Sequence, residues 1–182
     1  SNIFVVDNNT SMTQEELELS NLLDMDLSIE NLKGQKEYKV LIYHTHGSET
    51  FADSRPGKKE DTVIGVGDEL ARILEEKYGY QVYHDRTVYD MINGKLDRNR
   101  AYNQAGKGLE KNLKKYPSIQ VVIDLHRDAV AEGNKLVTTL QGQDMAQFMF
   151  FNGLSYTRAR GELTSLPNPY VQDNLAFAFQ MK

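Results

Sequence analysis

The chain contains no cysteine and no tryptophan among its 182 residues. The lack of cysteine excludes disulfides, thiolate metal sites and a thiol nucleophile. There is also no apolar run of membrane-spanning length, and nothing reads as a secretory signal. An excess of basic charge is missing too: 21 Lys and Arg stand against 26 Asp and Glu, a formal charge of −5. Phosphate binding is driven by clustered Lys and Arg, so nucleic acid is not expected as a partner.

What is present suffices for one core, since 40% of the residues are apolar. The length suits one domain with an appendage. The acidic imbalance lies wholly at one end. Residues 1–36 hold Asp7, Glu15, Glu16, Glu18, Asp24, Asp26 and Glu30 against Lys33 and Lys36, while acids and bases balance in residues 37–182. The expected organisation is therefore an acidic, flexible or stalk-like segment (1–36) before a neutral globular domain (37–182). Within the segment, Thr13-Gln14-Glu15-Glu16 opens a weak helical stretch carrying Leu17, Leu19, Leu22 and Leu23, and Gly34 ends it. The start at Ser1-Asn2, without Met, reads as processed or engineered, with any targeting segment upstream of it.

From Tyr38 the pattern becomes regular. Val40 to Tyr43 is a continuous apolar run, as expected of a strand buried on both faces. A polar loop from His44 to Lys59 leads to a helix over about 61–77, with Val63, Val66, Leu70, Ile73 and Leu74 on one face. A strand at 80–83 follows, then a loop, then a helix over about 97–115 with Ala101, Ala105, Leu109 and Leu113 at spacing four. Pro117 stops that helix, and residues 119–125 form the most hydrophobic strand. This βαβαβ order predicts an α/β fold with a twisted, mostly parallel sheet flanked by helices. Residues 136–140 and 146–151 read as two further strands, and a last helix runs from Pro167 to Lys182. Gly65-Val66-Gly67 lies inside a helical pattern, so it is no nucleotide fingerprint and instead predicts close helix–sheet packing.

In open α/β sheets, ligands bind at the carboxyl ends of the strands. The first strand ends in His44-Thr45-His46-Gly47-Ser48-Glu49, and the third in Asp124-Leu125-His126-Arg127-Asp128. Three of the four histidines thus stand at two strand ends. Imidazole is the commonest protein ligand for zinc, and a catalytic zinc often takes two His and one carboxylate. His46 and His126 are the candidate nitrogens. Glu60, just before a helix, is the candidate carboxylate, with Asp61 and Glu49 competing. His44 is a strand-end hydrogen bonder, a second-shell group or a substrate contact. Arg127 either binds a substrate carboxylate or pairs with Asp124 or Asp128. His84 reads as structural.

The segment Val40-Leu41-Ile42-Tyr43-His44-Thr45-His46-Gly47-Ser48-Glu49 resembles the signature of the stage II sporulation protein P family, peptidoglycan hydrolases of the zinc-dependent N-acetylmuramoyl-L-alanine amidase superfamily. Asp124-Leu125-His126-Arg127-Asp128 resembles the sporulation branch more closely than the general pattern. The superfamily's His-Gly, Glu, two Arg and final His fall on His46-Gly47, Glu60, Arg86, Arg98 or Arg100, and His126. The resemblance covers roughly residues 38–182 and implies a phosphorylase/hydrolase-like amidase domain with His46, Glu60 and His126 as zinc ligands. It implies cleavage between N-acetylmuramic acid and L-alanine, with endopeptidase action on cross-links, during engulfment. Peptidoglycan stem peptides and glycan would be the substrate, stage II sporulation proteins D, M and Q the partners, and an anchored extracytoplasmic site the location. The family's catalytic Glu follows the last long helix. No Glu follows Glu162 here, so the expectation is a chain without the family's C-terminal elements, with Glu49 and Asp128 as fallback acid/base candidates. The rival expectation is a non-catalytic module of the same fold that binds wall or partner proteins.

Overall fold

A computed structural model describes residues 19–29, 36–131, 133–157, 159–165 and 167–181. In chain order the elements are α1 (Leu19–Leu22), β1 (Val40–Tyr43), a 3-10 turn (Lys59–Asp61), α2 (Val63–Glu76), β2 (Val82–His84), β3 (Met91–Ile92), β4 (Lys95–Leu96), α3 (Arg98–Lys115), β5 (Val121–Asp124), β6 (Val137–Leu140), β7 (Gln143–Ala146), β8 (Tyr156–Thr157), β9 (Gly161–Glu162) and α4 (Val171–Gln180). The described residues form two compact units, one within Ile29–Glu132 and one joining residues up to Ser28 with those from Gly133 onward.

The Ile29–Glu132 unit is mixed α/β. Its sheet has three strands in the order β2-β1-β5, both pairings parallel, with Val40 opposite Val82 on one side and Val121 on the other. Parallel neighbours require crossovers of helical length, and α2 and α3 supply them. The continuous apolar run becomes the central strand: Leu41 and Ile42 are fully buried. Val40, Ile42 and Val82 pack with Ala71 of α2, and Leu70 and Leu74 close over them.

Helix α2 begins two residues later than its periodicity suggests, because Thr62 caps it. The Thr62 hydroxyl accepts from the Ile64 N–H, which meets one of the donors left free at a helix start. Residues 59–61 are set off in the 3-10 turn. Asp97 caps α3 likewise, accepting from the Arg100 N–H at 3.0 Å.

The stretch between β2 and α3, expected as loop, holds a small hairpin. Asn93 and Gly94 both take positive φ (52° and 76°), the pair of conformations a two-residue hairpin turn needs. The Asp97 N–H donates to the Asp90 carbonyl at 2.8 Å, closing the hairpin at its base.

In the other unit, β6 and β7 pair antiparallel around Gln141-Gly142, again both at positive φ. The strand expected over 146–151 is thus corrected to Gln143–Ala146. The two-residue turn fixes the register and draws the second strand earlier, leaving Phe148, Met149, Phe150 and Phe151 outside it and exposed.

Of the acidic N-terminal segment, residues 1–18 and 30–35, including the expected helix opening at Thr13, lie outside the described residues. The remainder packs: Leu22 is buried with Leu175 and Ala176 of α4, and Met25 and Leu27 close over them. The Gln180 Nε2 donates to the carbonyls of Leu22 and Met25, each at 2.9 Å. Helix α4 ends at Gln180, short of the expected run to Lys182, which is not among the described residues.

Candidate functional site

All four histidines gather at the carboxyl edge of the three-stranded sheet. His84 is the last residue of β2, His44 and His46 follow β1, and His126 follows β5. The placement brings together residues far apart in sequence, and the edge divides into an inner and an outer pair.

The inner pair is His44 and His84. His44 is fully buried. Its Nδ1 meets the Leu125 carbonyl at 2.9 Å and its Nε2 meets the His84 Nε2 at 2.8 Å. His84 Nδ1 meets Asp68 of α2 at 2.9 Å. Arg86 also pairs with Asp68. With both His44 nitrogens engaged inside the fold, its part is to brace the strand ends. Gly67 lets α2 approach: a Cβ there would lie 2.6 Å from the His84 Nε2 and 2.8 Å from the His44 Nε2. Burial pushes both imidazoles below the ordinary histidine range, and for His84 the neighbouring His44 adds to the effect. Two facing Nε2 atoms at hydrogen-bond distance cannot both carry protons.

A pH dependence follows. The folded pair resists protonation, whereas the unfolded chain takes up protons near the ordinary value of about 6.5. The unfolded state then binds more protons, so stability is present above that value and is lost progressively as pH falls from it toward the lower folded value. His126, shifted upward, acts in the opposite sense, so the pair is isolated by substitution. Urea midpoints are expected to fall between about pH 7.5 and about pH 5.5, and by less in a His84→Gln chain. Equal falls in both chains would remove the pair as the cause.

The outer pair is His46 and His126. Their rings meet edge to face with centroids 5.3 Å apart, and Tyr102 of α3 lies edge-on to His46 at 5.2 Å. Asp124, the last residue of β5, is hydrogen-bonded through Oδ2 to the His126 Nε2 at 3.0 Å. Asp124 also accepts from the Thr45 N–H (2.9 Å) and hydroxyl (2.6 Å), stapling the ends of β1 and β5. The hydrogen bond to Asp124 raises the His126 pKa against the opposing effect of burial. Burial disfavours the Asp124 charge, but hydrogen bonds from His126 and Thr45 outweigh it and hold the carboxyl below its usual range.

Glu49 is the carboxylate beside this pair. It is 5% exposed, with Oε2 3.7 Å from the His126 Nδ1. The Arg127 N–H donates to Oε2 at 2.8 Å, and Arg98 at the start of α3 reaches Oε1 at 3.3 Å. The Arg127 Nε donates to the Thr50 carbonyl, so this residue engages Glu49 and Thr50 instead of Asp124 or Asp128. Glu60 stands elsewhere: its carboxylate is 60% exposed and pairs with Arg55 at 3.6 Å, in a groove shared with Phe51, Asp61, Val66 and Leu70. Asp61 accepts three hydrogen bonds from Arg55, one from its backbone N–H and two from its guanidinium. Asp128 is exposed and accepts from the Ala129 N–H. Among the described residues, no three His, Asp or Glu side chains are gathered closely enough to hold a metal.

The family model described as Stage II sporulation protein P (SpoIIP) matches residues 4–182. The chain belongs to that family. Membership implies a role in sporulation, and both histidine segments lie within the match. No curated protein and no solved structure matches the chain.

Sequence reading missed four parts of this site. Asp124 had a signal, since the last residue of a strand and the residue two further on share a side, which aims Asp124 and His126 together. Asp90, Tyr102 and the contact of Asp68 with His84 depend on how α2, α3 and the small hairpin pack, and no local pattern announces them.

Proposed function

We propose that the chain is a zinc-dependent peptidoglycan hydrolase, an N-acetylmuramoyl-L-alanine amidase with endopeptidase action on cross-links, working in engulfment during sporulation. The observation that carries this reading is the His46–His126 pair at adjacent strand ends, within a chain of the sporulation family. The donor set bears on the metal directly. The two imidazoles with a neighbouring carboxylate are the donor types a hydrolytic zinc takes. His46 and His126 would hold the ion. The third donor is Glu60 by resemblance, while the geometry favours Glu49, which already stands beside His126. An ion held there would supply a Lewis acid for the scissile carbonyl and would lower the pKa of its water toward about 7. The chain's own part is to orient His126 through Asp124 and to hold the Glu49 side chain beside it through Arg98 and the Arg127 N–H. The substrate would be wall stem peptides on their glycan. The setting would be extracytoplasmic and membrane-anchored, with stage II sporulation proteins D, M and Q as partners.

The test is zinc stoichiometry together with digestion of purified peptidoglycan. One zinc per chain and release of peptides with new L-alanine amino termini are expected. Wall that is bound but left uncut would instead support the rival reading, a binding module, which the remoteness of Glu60 from the histidines favours. Glu60→Gln and Glu49→Gln chains separate the two candidate ligands: the true ligand's variant loses zinc and the other keeps it.

A further inference from the structure

The two imidazoles of the outer pair do not present the same nitrogen, and the cause is a residue not yet given a role. We infer that Asp90 is a positioning residue. It turns the His46 ring so that Nδ1–H points toward the Asp90 carboxylate and Nε2 is left for the metal, while Asp124 holds His126 the other way round, with Nδ1 left free. The inference rests on the metal site proposed above.

Asp90 is completely buried. Its Oδ1 accepts from the Ser48 N–H at 3.2 Å and its Oδ2 from the Ser48 hydroxyl at 2.5 Å. The same Oδ2 lies 4.0 Å from the His46 Nδ1. That nitrogen is the buried side-chain atom left without a partner among the described residues. A bare lone pair facing a buried carboxylate is repelled, whereas an N–H facing it is attracted, so the proton belongs on Nδ1. The separation is longer than a hydrogen bond, and such contacts in empty sites commonly tighten when the site is filled. Tyr102 and His126, both edge-on to the ring, restrict its rotation. On His126 the pattern reverses: Nε2 is taken by Asp124 at 3.0 Å, and Nδ1 looks toward Glu49. Carboxylates behind metal-bound histidines fix tautomer and ring orientation, and losing one typically weakens metal affinity by about 10–100-fold.

Two measurements on the full chain test this. In zinc-free, 15N-histidine-labelled protein, long-range 1H–15N spectra are expected to show His46 protonated at Nδ1 and His126 at Nε2. A His46 proton on Nε2 overturns the inference. In chelator competition, Asp90→Ala is expected to weaken zinc binding by about 10–100-fold, and Asp90→Asn, which keeps an oxygen acceptor, by less. Thermal midpoints confirm that each variant is folded. If Asp90→Ala does not fold, Asp90→Asn decides: zinc affinity within about threefold of wild type and an unchanged tautomer overturn the inference. Wild-type protein that binds no zinc defeats the metal reading alone, because the tautomer spectra need no metal.

Discussion

His46→Ala and His126→Ala are each expected to lose bound zinc and to drop wall hydrolysis by on the order of 10³-fold or more, since groups acting as a unit lose most of their effect when one member goes. The expectation follows from how the two side chains are placed. They come from different strands, held side by side by parallel pairing of β1 with β5 and by the staple from Thr45 to Asp124. Neither imidazole has a neighbour that could replace it, because His44 and His84 are already committed to each other. His84→Gln therefore serves as the comparison, expected to change stability but to keep the metal. Zinc content by mass spectrometry and amino termini released from wall provide the two measurements. A His46→Ala chain that retains both zinc and hydrolysis rules out the proposed site.

Gly67→Ala is expected to destabilise the fold by about 1–3 kcal/mol, the usual cost of forcing extra atoms into a packed interior. The sign is notable, because replacing glycine inside a helix by alanine ordinarily gains up to about 1 kcal/mol. Here the added methyl would fall within 2.8 Å of both inner Nε2 atoms, so either the helix withdraws or the histidines part. Gly65→Ala meets harder resistance, since its Cβ would lie 1.9 Å from the Glu60 carbonyl oxygen, which is backbone and cannot swing away. Gly106→Ala is the control: it lies within α3, and its Cβ would meet nothing within 4 Å, so it should follow the ordinary rule and stabilise. Thermal or urea melts of the three chains check this directly. A stabilised Gly67→Ala would show that the inner pair is not in close contact with α2.

The elements behind these two expectations were legible in the sequence to different degrees. The central strand was readable because Val40 to Tyr43 is apolar without interruption, and α3 because Asp97 caps it and Pro117 follows it. The need for small residues at 65 and 67 was readable, but not what each approaches. Gly65 lies against the turn that carries Glu60, and Gly67 against the inner histidines. That His46 and His126 stand side by side was legible because each follows a strand of the same parallel sheet. The carboxylates around them were harder. Glu49 was only a competing candidate, because its closeness to His126 depends on Arg98 and Arg127 reaching it from other elements. Glu60 has the expected spacing from His46, yet the structure turns it toward Arg55. The hairpin turns at Asn93-Gly94 and Gln141-Gly142 each rest on a glycine after a small or polar residue, and the second shifted a strand by three residues.

The clasp between the Asp97 N–H and the Asp90 carbonyl divides responsibility within one short stretch of chain. On one side of it lies the carboxylate near His46, and on the other begins the helix carrying Arg98 to Glu49 and Tyr102 to His46. The hairpin between them ends in an exposed turn at Asn93-Gly94. Its tip is a place where relatives can differ in length, or where a label or tag can be inserted, without shifting the groups on either side.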